Sequence, residues 1–298
     1  MTDGTALYVY ALVPYREGAA DGVTGLDGRP LRLLRAPGTE IAALVHEASP
    51  VPFEGGDEQV RRWVGEQSEA VTTVWERTGS LLPMTFNVLV ADEPPSGGSA
   101  GDSSGESPAH AAGGRTAEQR LTRWITQRAP EITQRLKALD GRSELRVEIT
   151  VDRSAVMARE PRTPAEERMP EGRSAGMRRL LAKQREQQAK NVTGQLADAL
   201  HARTRHSLLS VAEDFRDRGH ARTGPDETGV LSAALLVRTE DIDTVGGLLS
   251  DLRNREPAVR IRFLGPWPPY SFADERLTTY EEREESRESG PRGEPAGR

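Results

Sequence analysis

The first residues to test for chemistry are the five histidines, His46, His110, His201, His206 and His220. A helical pair of metal ligands stands at i and i+4, on one face. His201 and His206 are five apart, about 140° around a helix, so they do not share a face. No cysteine is present, which removes thiolate nucleophiles, disulfides and Cys-based metal sites together. The phosphate-cradling patterns Gly-x-x-x-x-Gly-Lys-Ser/Thr and Gly-x-Gly-x-x-Gly are absent. Acidic pairs such as Glu166-Glu167 and Glu281-Glu282 sit in charge-rich runs and read as solvated faces rather than general acid/base pairs. Arg178-Arg179 and the stretch Arg203 to His206 read as the polar face of a helix, with an anion or partner contact as the other reading. The expectation is a protein without catalytic residues, metal or cofactor.

What remains is the chemistry of recognition, concentrated in Arg260-Ile261-Arg262-Phe263-Leu264-Gly265-Pro266-Trp267-Pro268-Pro269-Tyr270-Ser271-Phe272. Ile261 and Phe263 alternate with Arg260, Arg262 and Leu264, the period of a strand. Pro266, Pro268 and Pro269 lack backbone donors and hold φ at about −65°, so the ladder can continue there only at an edge. A stiff corner follows, carrying Trp267, Tyr270 and Phe272. Aromatics are only 5% of the chain, so their density here sets the stretch apart. Two readings stand: the rings plug the domain's own core, or they form a preorganised contact surface. The partition expected is Trp267 seating the corner, with Tyr270 and Phe272 as partner contacts.

The elements that must position this corner come from pattern. Leu7 to Pro14 is a strand rich in β-formers. Arg29 to Leu34 and Ile41 to Glu47 form a loose hairpin around Pro37-Gly38. A helix runs from about Asp57 to Thr78 with Val60, Trp63, Val64, Gln67, Val71, Val74 and Trp75 on one face. Leu81 to Val90 reads as a strand. Asp92 to Arg115, nearly all glycine, serine, proline and alanine, reads as a flexible insert. Two helices meet at Ala129-Pro130, since proline suits a first helical position. Leu145 to Asp152 alternates as a strand. Ser154 to Ser174 is a surface connection, and a long helix spans about Ala175 to Asp217, polar all round from Lys183 to Lys190. Val230 to Val237 is a buried strand, Ile242 to Leu252 a helix, and Ala258 to Leu264 the last strand. The tail 274–298 is charged and partly disordered.

The fold class expected is α+β with two domains, an N-terminal α+β domain (1–141) and a C-terminal one (142–273). Strand, helix, strand, helix, strand in the second half describes a modified ferredoxin-like sandwich with a long helix. It is one strand short, or has that strand hidden in Gly219 to Gly229. The formal net charge of −6 argues against a nucleic-acid partner. No run has the apolar length of a membrane span, and the N-terminus lacks a signal pattern, so a soluble intracellular protein is expected.

Three strings resemble the gas vesicle protein F/L (GvpF/GvpL) family. Leu7-Tyr8-Val9-Tyr10-Ala11-Leu12-Val13, with Gly25-Leu26-Asp27-Gly28 and Ile41 to Val45, is similar to its opening. Leu81-Leu82-Pro83-Met84-Thr85-Phe86-Asn87 resembles an "LPMRFG"-like strand, with Thr85 where arginine is usual and Asn87 where glycine is usual. Gly265 to Phe272 resembles its C-terminal signature without departure. The resemblance implies a two-domain α+β architecture and a non-catalytic accessory or structural role in assembly of gas vesicles, hollow protein-walled organelles. It implies binding of the small hydrophobic shell protein and other vesicle accessory proteins, a minor place in the wall, and location at the gas vesicle in the cytoplasm. Fold analogy alone leaves open a ligand-sensing or regulatory ferredoxin-like module.

Overall fold

The computed structural model describes residues 5–93, 114–159, 175–219, 221 and 223–273. Most of the expected insert, most of the connection 154–174, and the tail, with His110 and His220, lie outside the described residues. The described residues divide into two units, one up to Asp140 that also takes Phe272 and Ala273, the other Gly141–Ser271.

In the first unit, strand β1 (Ala6–Pro14) is buried along almost its whole length. That suits its near-continuous run of apolar and aromatic residues. β2 (Arg32–Arg35) and β3 (Ile41–Ala48) form an antiparallel hairpin, and β3 pairs with β1. Helix α1 (Asp57–Thr78) packs on β1 through Trp63, Gln67, Ala70, Val71, Val74 and Trp75. Val64, expected on that face, is 46% exposed.

The stretch Leu81 to Val90 is not one strand. It forms β4 (Leu82–Pro83) and β5 (Leu89–Ala91), both paired with β1, with a turn between them. The break is at Asn87, whose φ of 71° lies in the left-handed region. Asparagine is one of the few side chains that tolerate it. Helices α2 (Ala117–Gln127) and α3 (Ala129–Leu139) follow. Thr116 caps α2 in a reciprocal box with Gln119, and a proline sits at the start of α3.

The second unit is built on β6 (Arg142–Asp152), followed by the short helix α4 (Arg153–Met157) and the long helix α5 (Ala175–Leu209). Next come β7 (Asp214–Asp217), β8 (Glu227–Arg238), helix α6 (Ile242–Arg255) and β9 (Val259–Trp267). The sheet order is β7-β8-β6-β9, every neighbour antiparallel. This is the split βαβ arrangement of the ferredoxin-like fold, and the fold class is α+β.

The missing fourth strand lies at 214–217, inside the expected helix, not in Gly219 to Gly229. Val211 and Phe215 continue the helical spacing of apolar residues, but α5 stops at Leu209 and the chain turns to pair with β8. The buried face of α5 is Ala189, Thr193, Ala197, Leu200, Thr204 and Leu208, which includes two threonines. Residues 182–188 are exposed all round. Alternate residues of β6 (Leu145, Val147, Ile149, Val151) join Leu200, Leu235 and Val245 in the core of this unit. Their neighbours Arg146 and Glu148 share the opposite, polar face with Glu144, as strand alternation requires.

Candidate functional site

Two constellations merit a site's description. In the first, the N-terminal strings meet around a cluster of rings. Tyr8 and Tyr10 come from β1, His46 from β3, Trp63 and Gln67 from α1, and Phe53 and Phe86 from the flanking loops. Ring centroids of Tyr8 lie 4.9 Å from Tyr10, 5.4 Å from His46 and 5.5 Å from Phe53. Tyr8 Oη donates to Gln67 Oε1 at 2.7 Å and accepts from Asn87 N at 3.0 Å. Gln67 Nε2 then donates to the Met84 carbonyl at 3.0 Å. Tyr10 Oη accepts from Leu26 N at 2.8 Å and lies 2.9 Å from His46 Nδ1. Burial pushes His46 down to about 4, so the imidazole is neutral, and its tautomer sets which partner of the Tyr10 bond donates. Burial likewise raises Tyr8 to about 12 and shifts Tyr10 upward.

This geometry accounts for Gly25-Leu26-Asp27-Gly28. A Cβ on Gly25 would lie 2.0 Å from Tyr10 Oη, so only glycine lets the loop reach the hydroxyl. Asp27 Oδ1 accepts from Arg62 Nη2 at 2.5 Å and from Trp63 Nε1 at 3.0 Å. Those two bonds, Arg62 first, hold its carboxyl below the usual range. Asn87 is equally occupied: its amide accepts from Phe53 N at 2.8 Å and donates to Phe53 O at 3.0 Å. Thr85 is exposed. Each of these polar groups already has a protein partner, so the cluster is a rigid core rather than an open reaction site.

The second constellation is the aromatic corner. β9 is an edge strand and runs further than expected, through Pro266 to Trp267, because the register slips between Glu144 and Arg146 of β6. Gly265 makes the slip, with φ of 119° and space for no side chain: a Cβ would sit 2.8 Å from the Glu144 carbonyl oxygen. The Trp267 ring is half-buried and lies under the Arg146 guanidinium, 5.1 Å from centroid to carbon. Pro268 and Pro269 are buried, whereas Tyr270 and Phe272 are half-buried.

The anchor is Glu144, which is fully buried. Its two oxygens accept from Ser271 N at 2.6 Å and Ser271 Oγ at 2.8 Å, and Arg146 Nε donates to it at 3.0 Å. Arg218 adds a 3.2 Å bond to Ser271 Oγ. Phe263, expected to point into the core beside Ile261, is 38% exposed, because it lies on the outermost strand; Ile261 does pack against the core. Glu144 and Ser271 were not singled out from sequence. Glu144 continues the polar alternation of Arg146 and Glu148, and only the return of a chain segment 127 residues later buries it.

His201 and His206 sit apart on α5, half-buried and exposed respectively. Among the described residues no cluster of three or more His, Asp or Glu could hold a metal ion, and no helix is long and apolar enough to cross a membrane.

Fold and site together define a two-unit α+β protein, ferredoxin-like in its second unit, distinguished by a rigid aromatic corner at the end of an edge strand. The sequence profile described as gas vesicle synthesis protein GvpL/GvpF matches residues 6–274, and the chain belongs to that family. Gas vesicle protein L1 of Halobacterium salinarum is 25% identical over 283 residues, which cover 92% of this chain and 91% of that protein. Gas vesicle protein L of a Streptomyces species is 28% identical over 284 residues, covering 89% and 92%. The crystal structure of gas vesicle protein GvpF from an Anabaena species superposes with a TM-score of 0.60 at 16% identity, covering 91% of this chain and 96% of that one. GvpF from Microcystis aeruginosa gives 0.58 at 18% identity, covering 92% and 100%.

Proposed function

We propose that this protein is a non-catalytic accessory factor of gas vesicle assembly, acting in the cytoplasm and at the vesicle, and that it binds the small hydrophobic shell protein through its aromatic corner. Membership of the GvpL/GvpF family supports the setting. The observation that carries the reading is the mounting of the corner. Pro268, Pro269 and the Glu144–Ser271 bonds fix the backbone, while Tyr270 and Phe272 keep part of their surface in solvent. A fixed aromatic loses little entropy on binding, so more of its contact energy appears as affinity. Leu264, 40% exposed and paired with Arg146, adds apolar surface on the strand face that carries Arg146 and Trp267. A shell subunit that must bury an apolar face is an aggregation hazard until it assembles, and such a surface is suited to holding it. Ligand sensing rests on fold analogy alone.

The test is a melt and a binding isotherm on detergent-solubilised shell protein for Trp267→Ala, Tyr270→Ala and Phe272→Ala in the full chain. Tyr270→Ala and Phe272→Ala should keep the melting temperature and weaken binding by about 2 kcal/mol each. Trp267→Ala should lower the melting temperature. A stable Trp267→Ala protein that no longer binds overturns the division of roles. Unchanged binding in both of the other variants removes the corner from the interface.

A further inference from the structure

α5 and α6 pack side by side, and where they meet they leave a groove of about 50 Å³. Its lining includes Arg203, Thr204 and Ser207 of α5 and Leu248, Leu252 and Arg255 of α6. Thr204 is 6% exposed, and its Oγ1 has no hydrogen-bond partner in the protein. A threonine inside a helix ordinarily returns its hydroxyl to the carbonyl one turn back. Thr73, Thr78, Thr122 and Thr126 do so, at 2.9, 2.8, 2.7 and 2.8 Å; Thr193, buried on α5, like Thr204 does not. Thr204 instead lines the groove with its bonding capacity unused, a state that costs free energy when buried. Ser207 gives its proton to the Arg203 carbonyl at 3.2 Å and keeps its lone pairs.

The rim supplies charge of one sign. Arg203 and Arg255 carry guanidinium groups, which only donate. Arg255 reaches Asp251 at 3.5 Å, one turn back, with both side chains more than 60% exposed. A pair of that kind contributes little and yields readily to a better partner. The floor is leucine. Donors around an aliphatic floor select an acceptor anion on an aliphatic stem, and guanidinium groups favour a carboxylate. Volume decides the size of the occupant. Pockets that enclose a free small molecule hold roughly 300–1,000 Å³, so this groove admits one side-chain head whose remainder lies outside.

We propose that the groove between α5 and α6 receives a glutamate or aspartate side chain, flanked by aliphatic residues, of a partner polypeptide that docks on the helical layer of the second unit. The carboxylate sits between Arg203 and Arg255 and accepts the Thr204 hydroxyl; the flanking aliphatic side chains lie along Leu248 and Leu252. The anchor of the aromatic corner, Glu144, lies on the polar face of the sheet, away from these helices. The two surfaces can therefore be occupied together, and this proposal does not depend on the role given to the corner.

The test titrates deuterated, ¹⁵N-labelled full chain with the peptide acetyl-Ala-Leu-Glu-Leu-Ala-amide, with its Gln analogue, with hexanoate and with inorganic phosphate. The amides of Thr204, Ser207 and Leu252 should shift saturably with the Glu peptide. The Gln analogue should bind at least about tenfold more weakly, given the worth of a hydrogen bond to a charged group. Arg203→Ala with Arg255→Ala should abolish the shifts. Thr204→Val should weaken binding about tenfold without lowering the melting temperature. A hydroxyl with only a structural role would show the reverse pair of effects. Equal binding of the Gln peptide, shifts that map elsewhere, or survival of binding in the double variant each overturn the proposal. Hexanoate or phosphate binding as tightly as the peptide also overturns it, in favour of a free small acid or of any anion.

Discussion

Changing Glu144 to glutamine keeps the shape of the side chain and replaces one acceptor oxygen by a donor. In the native unit its two oxygens take the Ser271 N–H at 2.6 Å and the Ser271 hydroxyl at 2.8 Å. Glutamine can accept one of them and must present its NH₂ to the other. A hydrogen bond to a charged group contributes about 1.5–3 kcal/mol, so one such bond is lost outright and the survivor weakens. The Arg146 pair is lost too, but its guanidinium side is 36% exposed, and solvent screening reduces that loss to a few tenths of a kcal/mol. The expected cost is about 2–3 kcal/mol, or roughly 8 °C for a unit of this size. Ser271→Ala removes the hydroxyl bond only and should cost about 1 kcal/mol. The double variant should show a coupling of about 1 kcal/mol, because both changes remove the same contact. Urea unfolding followed by tryptophan fluorescence measures all three, alongside shell-protein binding. Glu144→Gln within about 0.5 kcal/mol of the native chain would be an ordinary surface change, and the buried carboxylate would not be what holds the corner.

Stability should fall as pH drops from about 6.5 towards 4, because the unfolded chain protonates His46 while the fold, with its pKa near 4, keeps it neutral. The loss is about 2 kcal/mol by pH 5 and absent above about pH 7, and His46→Gln should flatten that slope in urea midpoints. Asn87→Gly keeps the left-handed backbone but loses both bonds to Phe53, for about 1–2 kcal/mol. Asn87→Ala should cost about 1 kcal/mol more through its Cβ, so a melt of Ala above Gly refutes the assignment. Deleting 96–112 should change stability by less than about 1 kcal/mol, since Glu93 N already donates to Arg115 O at 2.8 Å and closes the base of the insert; a large fall in melting temperature would show an ordered element there. We propose that 142–273 folds alone, and a dispersed amide spectrum of that fragment is the outcome expected.

Helix α1 was legible because its apolar residues repeat at helical spacing, and glycine marks its end at Gly79. The ferredoxin-like order was legible to within one strand. β7 was not, since Ser210-Val211-Ala212-Glu213 contains neither glycine nor proline and Phe215 keeps the helical phase; pairing of Asp214 with Leu236 overrides that local pattern. The run Leu81 to Val90 misled for the opposite reason. It looks continuous, and one left-handed residue, Asn87, breaks it. At the corner, the rigidity came from the prolines and the rings from composition. The carboxylate that ties it down could not be seen, because a bond between Ser271 and Glu144 leaves no periodic trace in either segment.

The same edge strand that carries the corner must also be kept from pairing indiscriminately. β9 is outermost in its sheet and shows Phe263 and Leu264 to solvent, a combination that invites another chain to add a strand. Three features oppose this. Arg260 and Arg262 place exposed charge along the strand, each fixed to β6, at 2.6 Å to Asp152 and 3.3 Å to Glu148. The Ser154 hydroxyl, and after it Arg260, holds the Asp152 carboxyl well below the usual range, so that tie persists into acid. The kink at Gly265 and the proline after it then interrupt the regular ladder, which resumes only where Trp267 pairs with Glu144. A factor that handles an aggregation-prone subunit gains from this division: the backbone edge is guarded by charge, and the apolar contact is confined to rings on a fixed mount. Removing the guard without touching the rings, by Arg260→Val with Arg262→Val, should therefore leave shell-protein binding intact while promoting concentration-dependent self-association in sedimentation. A variant that stays monomeric shows that the arginines are dispensable as guards.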